Sequence, residues 1–196
     1  GQIDIPLNKN GLSQANAASA FLSHLKIDRA FSSSLSRPKQ TAEAILKSHP
    51  GVKLDLKEGL IEIGHGLWEG KLESEIKESW PKLLEAWQQS PEKVEMPEGE
   101  TIQIVWDRSV ECWESICKTL TPKETVLVVA HDAVNKTILC KLLGLSPADI
   151  WKIKQGNGGI TVVDISNNPS QPDVVTCLNL TSHLGGVLDC TAAGAL

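Results

Sequence analysis

The feature that most constrains the fold of this chain is a short apolar run at residues 125–130. Its sequence, TVLVVA, presents apolar side chains to both faces of a strand, and His131 and Asp132 follow it directly. Strands that are apolar on both faces are typical of parallel sheets covered by helices on either side. The run therefore predicts a buried parallel strand with a histidine at its carboxyl end.

Helical and extended patterns alternate along the rest of the 196-residue chain. Apolar residues at helical spacing predict helices over residues 13–25, 36–47, 72–80, 81–89, 102–120 and 134–143. Alternating or apolar runs predict further strands over residues 29–33, 52–56, 160–165 and 174–178. This order favours a layered α/β fold. We assign residues 1–182 to one domain and residues 183–196 to a loosely held tail.

Composition excludes several classes of function. The 19 basic and 24 acidic residues give a net charge of −5, which does not suggest a nucleic-acid surface. No apolar run reaches the length of a membrane span. The five cysteines are odd in number and form no CxxC pair, which fits a reducing compartment and predicts a cytoplasmic protein. We predict no metal site, because the histidines and cysteines lack metal-ligand spacing.

Three polar residues follow predicted strands at their carboxyl ends. Arg37 lies near the start of the helix after strand 29–33, Glu62 lies in the loop after strand 52–56, and His131 ends strand 125–130. Since ligands of open α/β sheets bind at the carboxyl ends of strands, we expect all three at one rim. Arg37 would bind phosphoryl oxygens, and His131 would donate a hydrogen bond or charge. Glu62 would protonate a leaving oxygen if its apolar neighbours raise its pKa.

Each of these residues also has an ordinary structural explanation. Arg37 could be a solvated residue at the start of a helix, and Glu62 could be an exposed residue of an irregular strand. His131 could be a buried histidine with an internal partner. We expect Ser36 and Asp132 to be the N-caps of the helices that follow them.

Several motifs resemble those of the histidine phosphatase superfamily, the phosphoglycerate-mutase-like proteins. They are residues 1–8 (GQIDIPLN), 33–42 (SSLSRPKQTA), 62–70 (EIGHGLWEG), 97–101 (PEGET) and 128–131 (VVAH). The chain is similar to the C-terminal half of two-domain members from photosynthetic organisms. The resemblance implies a three-layer α/β/α sandwich with a mostly parallel central sheet. It also places His65 and Asn157 on the substrate side of the site.

The resemblance implies a nucleophile that this chain does not contain. In the family, an Arg-His-Gly tripeptide ends the first strand, and its histidine becomes phosphorylated. The position that Gly1 matches comes after that tripeptide. We therefore expect a fold lacking its first strand and a chain that is inactive alone. Because unpaired backbone groups are costly when buried, we expect another segment or chain to fill the gap, or the neighbouring strands to rearrange.

For the complete protein, the resemblance implies metal-independent hydrolysis of a small phosphorylated metabolite through a phosphohistidine, without a cofactor. Glu62 would protonate the leaving alkoxide and then activate water, while Arg37 and His131 would stabilise the phosphoryl charge. Two alternatives stay open: a non-catalytic phosphate-binding or interaction domain, and a phosphoglycerate-type mutase. A second copy of the chain, or a preceding domain of the same protein, stays open as a partner.

Overall fold

A computed structural model describes residues 1–168 and 170–185 of the chain. Its helices are α1 (Lys9–Leu22), α2 (Ser36–Leu46), α3 (Glu73–Ser79), α4 (Pro81–Gln89), α5 (Ile102–Lys118) and α6 (Asp132–Leu142). Its strands are β1 (Arg29–Ser32), β2 (Leu54–Leu56), β3 (Val126–Val129), β4 (Ile160–Asp164) and β5 (Val174–Leu180). The local patterns predicted each of these elements, with shifts of a few residues at their ends. None of the helices in the described ranges has the length and apolar character needed to cross a membrane.

The central sheet is parallel, as predicted, with the strand order β2-β1-β3. Ala30 of β1 lies opposite Leu54 of β2 on one side and Leu127 of β3 on the other. The later strands β4 and β5 form a separate antiparallel pair in the described part of the chain. The parallel strands bring the ends of β1 and β3 to one rim, where the chain turns into α2 and α6.

Helices cover both faces of the parallel sheet, which gives the three layers that the resemblance implies. Side chains alternate between the faces of a strand. Leu127 accordingly packs on one side with residues of α1 and α2, including Leu22 and Ile45. Its neighbours Val126 and Val128 pack on the other side, in the main core formed with α5 and α6.

Two helix starts differ from the sequence prediction by one residue. Helix α2 begins at Ser36 rather than being capped by it, and the carboxylate of Asp4 accepts hydrogen bonds from the Ser36 N–H at 2.7 Å and its hydroxyl at 2.9 Å. Helix α6 begins at Asp132, so that His131 is the N-cap residue. A distant carboxylate thus takes the capping role at α2, which local spacing alone does not reveal.

Strand β3 is less buried than its sequence predicts. All four of its residues are only half-buried, because β3 pairs with β1 along one edge while its other edge faces a cleft. This cleft lies between β3 and β4, is lined also by α1 and α5, and belongs to a cavity of about 1370 Å³. We expected the gap to be filled or closed by rearrangement. None of the described segments fills this gap. Helices α1 and α5 line it, and β3 and β4 do not pair with each other.

The predicted tail falls largely outside the described residues, since residues 186–196 are not among them. Its first residues form a short 3₁₀ turn, Ser182–Leu184, that packs on α1. The ring of His183 lies 5.3 Å from that of Phe21, and its Nε2 lies 3.0 Å from the carbonyl oxygen of Gly158. The boundary between domain and tail stays a prediction.

Candidate active site

The structure brings the predicted site residues to one cavity, at the rim where β1 and β3 end. The cavity is the one that contains the cleft, and its lining includes Arg37, Glu62, His65, His131 and Asn157. Arg37 reaches it from the first turn of α2, Glu62 and His65 from the loop after β2, and His131 from the end of β3. The shared rim predicted from strand order is therefore present.

His131 is buried and neutral. Only 7 % of the surface of His131 is exposed, and its Nε2 lies 2.9 Å from the hydroxyl oxygen of Ser33. Burial, reinforced by the nearby charge of Arg37, lowers the pKa of the imidazole to about 3. In the unliganded site, His131 therefore offers a hydrogen bond rather than the charge that we had also considered.

Ser33 is a site residue that the sequence reasoning left without a role. Ser33 is the first residue after β1, and His131 is the second residue after β3. The last residues of these two strands, Ser32 and Val129, lie opposite each other, so Ser33 and His131 are close together. The Ser33 side chain is fully buried, and its hydroxyl oxygen also accepts the N–H of Leu35 at 3.2 Å. Ser33 thus fixes the ring of His131 at the rim. Its position after β1 was the available signal.

Glu62 is a buried carboxyl held in an irregular loop. It is 8 % exposed, and Oε1 accepts the N–H of Ile63 at 2.9 Å. Burial raises the pKa of Glu62, partly opposed by the amino group of Gly1, while the charge of Asp132 adds to the rise. A carboxyl with a raised pKa keeps its proton closer to neutral pH, which suits a general acid.

Arg37 lies where it could bind an anion. It is half-buried, and its charge contributes to the lowered pKa of His131. Within residues 1–168 and 170–185, its guanidinium has no ion-pair partner. A guanidinium without a carboxylate partner, next to a neutral hydrogen-bonding imidazole, favours a phosphoryl dianion.

The first residue of the chain, Gly1, lines the same cavity. The amino group of Gly1 is close enough to influence the pKa values of Glu62, His65 and His131. Gln2 fixes the start of the chain, because its backbone N–H donates to Glu69 at 2.7 Å and its side chain donates to the carbonyl of Glu62 at 2.9 Å. A residue joined to the amino group of Gly1 would therefore lie near these side chains.

The two predicted substrate-side residues differ in their surroundings. His65 lies in the same loop as Glu62, with its ring 6.5 Å from that of Trp87, and burial lowers its pKa to about 4. Asn157 is exposed and lines the cavity from the loop before β4. Among the described residues, no group of three or more histidine, cysteine, aspartate or glutamate side chains could hold a metal ion.

The Glu62 loop depends on a glycine where it meets residues 97–100. Gly66 has a positive φ of 55°, and a Cβ added there would collide with the carbonyl oxygen of Pro97. The next residue, Leu67, donates its N–H to that carbonyl at 2.9 Å. The loop and the 97–100 segment therefore pack backbone to backbone, which only glycine permits here.

Comparisons with known proteins identify the family of the chain. A sequence model of the histidine phosphatase superfamily (branch 1) matches residues 1–177. The chain is 31% identical to phosphoserine phosphatase 1 of Hydrogenobacter thermophilus over 185 residues, covering 94% of this chain and 85% of that protein. It is 33% identical to 2-carboxy-D-arabinitol-1-phosphatase of Triticum aestivum over 174 residues, covering 88% of this chain and 34% of that protein.

A solved structure gives the same result. Bacillus stearothermophilus YhfR superposes with a TM-score of 0.87 at 25% identity, covering 94% of this chain and 89% of that one. The parallel sheet, the cavity at its carboxyl rim and the family match thus point to one conclusion. The chain belongs to the histidine phosphatase superfamily, and both relatives named above are phosphatases.

Proposed function

We propose that the complete protein hydrolyses a small phosphate monoester through a phosphohistidine, and that the attacking histidine lies on residues preceding Gly1. The position of the Gly1 amino group carries this proposal. This amino group is close enough to Glu62, His65 and His131 to influence their pKa values, and Gly1 lines the same cavity as Arg37. A residue just before Gly1 would therefore face the phosphoryl group that these side chains bind.

The cleft between β3 and β4 supports the same proposal. In the described part of the chain, β3 pairs only with β1 and β4 only with β5, so each presents one unpaired edge. Such edges accept a further strand. A strand placed beside β3 and parallel to it would end at the rim where His131 and Gly1 lie. It would deliver its last residues to the site.

The site residues would then divide the reaction between them. The imidazole nitrogen of the preceding histidine attacks phosphorus, and the bond from phosphorus to the ester oxygen breaks as Glu62 gives its proton to that oxygen. Water then attacks the phosphohistidine, Glu62 takes a proton from that water, and the nitrogen–phosphorus bond breaks to release inorganic phosphate. Arg37 and His131 stabilise the phosphoryl oxygens throughout.

The named relatives favour a small substrate. His65 and Asn157 line the cavity beside Glu62, where the leaving group would be protonated. The names of the two relatives specify phosphoserine and a carboxyarabinitol phosphate, and we propose a small phosphorylated metabolite of this kind. The cytoplasmic location stays a prediction. The cysteines at 112, 117, 140 and 177 are free, whereas Cys190 lies outside the described residues.

The test compares this chain with the same protein extended at its N-terminus through the strand before Gly1, called here the extended protein. Both are assayed for phosphate release from p-nitrophenyl phosphate and from a set of phosphorylated metabolites. We expect hydrolysis by the extended protein alone. Failure of both forms on every substrate would contradict the proposal and favour a non-catalytic phosphate-binding domain. Transfer of the phosphoryl group to another hydroxyl, without release, would favour a mutase.

A further inference from the structure

Arg108 holds the backbone of the loop that carries Glu62. It projects from the 17-residue helix α5, and its guanidinium donates to three carbonyl oxygens of that loop. These belong to Gly59 at 3.2 Å, Ile61 at 2.6 Å and Glu62 itself at 3.0 Å. The loop has no regular strand or long helix of its own. These bonds therefore attach the backbone of the candidate acid to the long helix α5.

Glu100 completes the contact from the other side. Its carboxylate receives two bonds from Arg108, from Nε at 2.8 Å and from Nη2 at 2.9 Å. It also accepts the N–H of Gly64 at 2.7 Å. Both side chains are about one-fifth exposed. The pair therefore binds the loop before and after Glu62, in a partly desolvated place where charge-assisted bonds are strong.

Gln2 joins the first segment of the chain to the same group. Its side-chain nitrogen donates to the Glu62 carbonyl at 2.9 Å and to the Glu100 carboxylate at 3.2 Å. Gln2, which follows Gly1, and the backbone of Glu62 are thus held by one group of hydrogen bonds. Their separation is fixed by the bond from Gln2 to the Glu62 carbonyl, together with the bonds from Arg108 to that carbonyl and from Gln2 to Glu100.

We propose that Arg108 and Glu100 are positioning residues that set the distance and direction between the Glu62 carboxyl and the reacting phosphoryl group. The inference rests on the proposed function, in which Glu62 protonates the leaving oxygen. The Glu62 carboxyl accepts the N–H of its own neighbour Ile63 at 2.9 Å and interacts with the N–H of Ala133 at the start of α6, so its direction depends on how the loop backbone is placed against that helix. A misplacement of about 1 Å lowers rates by about 100-fold in well-aligned active sites.

The arrangement requires arginine rather than any cation. Arg108 directs its donors at three carbonyls and a carboxylate together. Lysine has three donors on a single nitrogen and cannot form the planar fork. Arg108→Lys therefore keeps the charge while removing the geometry. Arg29→Lys is the matched control, because Arg29 donates to Thr119, away from the Glu62 loop.

The first test measures turnover by the extended protein on two substrates. The leaving oxygen of an alkyl phosphate needs a proton, whereas p-nitrophenolate leaves p-nitrophenyl phosphate without one. Because Glu62 also activates water in the second step, the rate compared is that of leaving-group release in the first turnover. We expect Arg108→Lys and Glu100→Gln to lower this rate about 100-fold on the alkyl phosphate and less than about 10-fold on the aryl phosphate. Arg29→Lys should change neither. Equal losses on both substrates, or no loss, would overturn the inference.

The second test does not depend on activity. Carbon-13 NMR of the Glu62 carboxyl follows its titration in this chain, in wild type and in both variants. A loosened loop admits water, so its pKa should fall toward the ordinary glutamate value. An unchanged pKa in folded variants would overturn the inference. If Arg108→Lys does not fold, Gln2→Ala removes the two bonds of Gln2 only and should shift the same titration. If the extended wild type hydrolyses nothing, the proposed function fails while this test still decides the positioning role.

Discussion

The neutral state of His131 predicts a specific dependence of stability on pH. The pKa of its ring is about 3 in the folded chain, against an ordinary value of 6.5. Because the folded value is the lower one, the unfolded chain binds the proton first as the pH falls. The stabilisation is therefore complete above pH 6.5 and is lost progressively between 6.5 and about 3.

The size of the effect follows from these two values. At about pH 5, the unfolded ring is almost fully protonated and the folded ring is not, which lowers the free energy of unfolding by about 2 kcal/mol relative to about pH 7.5. For a domain of this length, that corresponds to about 4–8 °C in melting temperature. Urea unfolding of wild type and His131→Gln at both pH values measures it directly. His131→Gln should not show this fall of about 2 kcal/mol in the free energy of unfolding.

The control is His24→Gln, which removes an exposed histidine of the same chain and should leave the pH dependence of the wild type. Inorganic phosphate should also reduce the loss in wild type, since an anion at Arg37 favours the protonated ring. It should not do so in His131→Gln. If His131→Gln loses as much stability on acidification as the wild type, burial does not hold this imidazole neutral, and the reasoning is refuted.

Three further variants test the rest of the site. Glu62→Gln in the extended protein should slow leaving-group release in the first turnover by about 10²–10⁴-fold for alkyl phosphates and far less for p-nitrophenyl phosphate; equal slowing of this step would remove the acid role. Arg37→Lys should raise KM for phosphate monoesters by about tenfold, because the fork is lost, and an unchanged KM would contradict phosphate binding there. Gly66→Ala should lower the free energy of unfolding by about 1–3 kcal/mol, since its φ of 55° and the Pro97 carbonyl exclude a Cβ. An unchanged urea midpoint would contradict that.

Local patterns were sufficient for the elements and for the position of the rim. The run at 125–130 predicted β3 and placed His131 at its end, and helix spacing placed Arg37 in the first turn of α2. These features depend on side-chain periodicity within a few residues. Glu62 was also located by its place after a strand, because parallel strands all end at the same edge.

Features that depend on distant partners were not predictable in the same way. The half-burial of β3 follows from which strands lie beside it, and no property of residues 125–130 encodes that. Arg108 appeared as one arginine inside a helical pattern, whereas its partners are backbone carbonyls 46 to 49 residues earlier in the chain. A carbonyl is common to every residue type, so the sequence carries no sign of such a contact. The neutral state of His131 likewise follows from burial by many residues at once.

In the proposed mechanism, a histidine before Gly1 attacks the phosphoryl group that Arg37 and His131 bind, while Glu62 protonates the leaving oxygen. It is tested most directly by mixing the extended protein with a substrate labelled on phosphorus, quenching within the first turnover, and mapping the label on the protein. We expect an acid-labile, base-stable phosphohistidine on a residue preceding Gly1, which accumulates to a higher level when water attack is slowed. Full turnover with no labelled protein at any quench time, or label on His65 or His131, would contradict it.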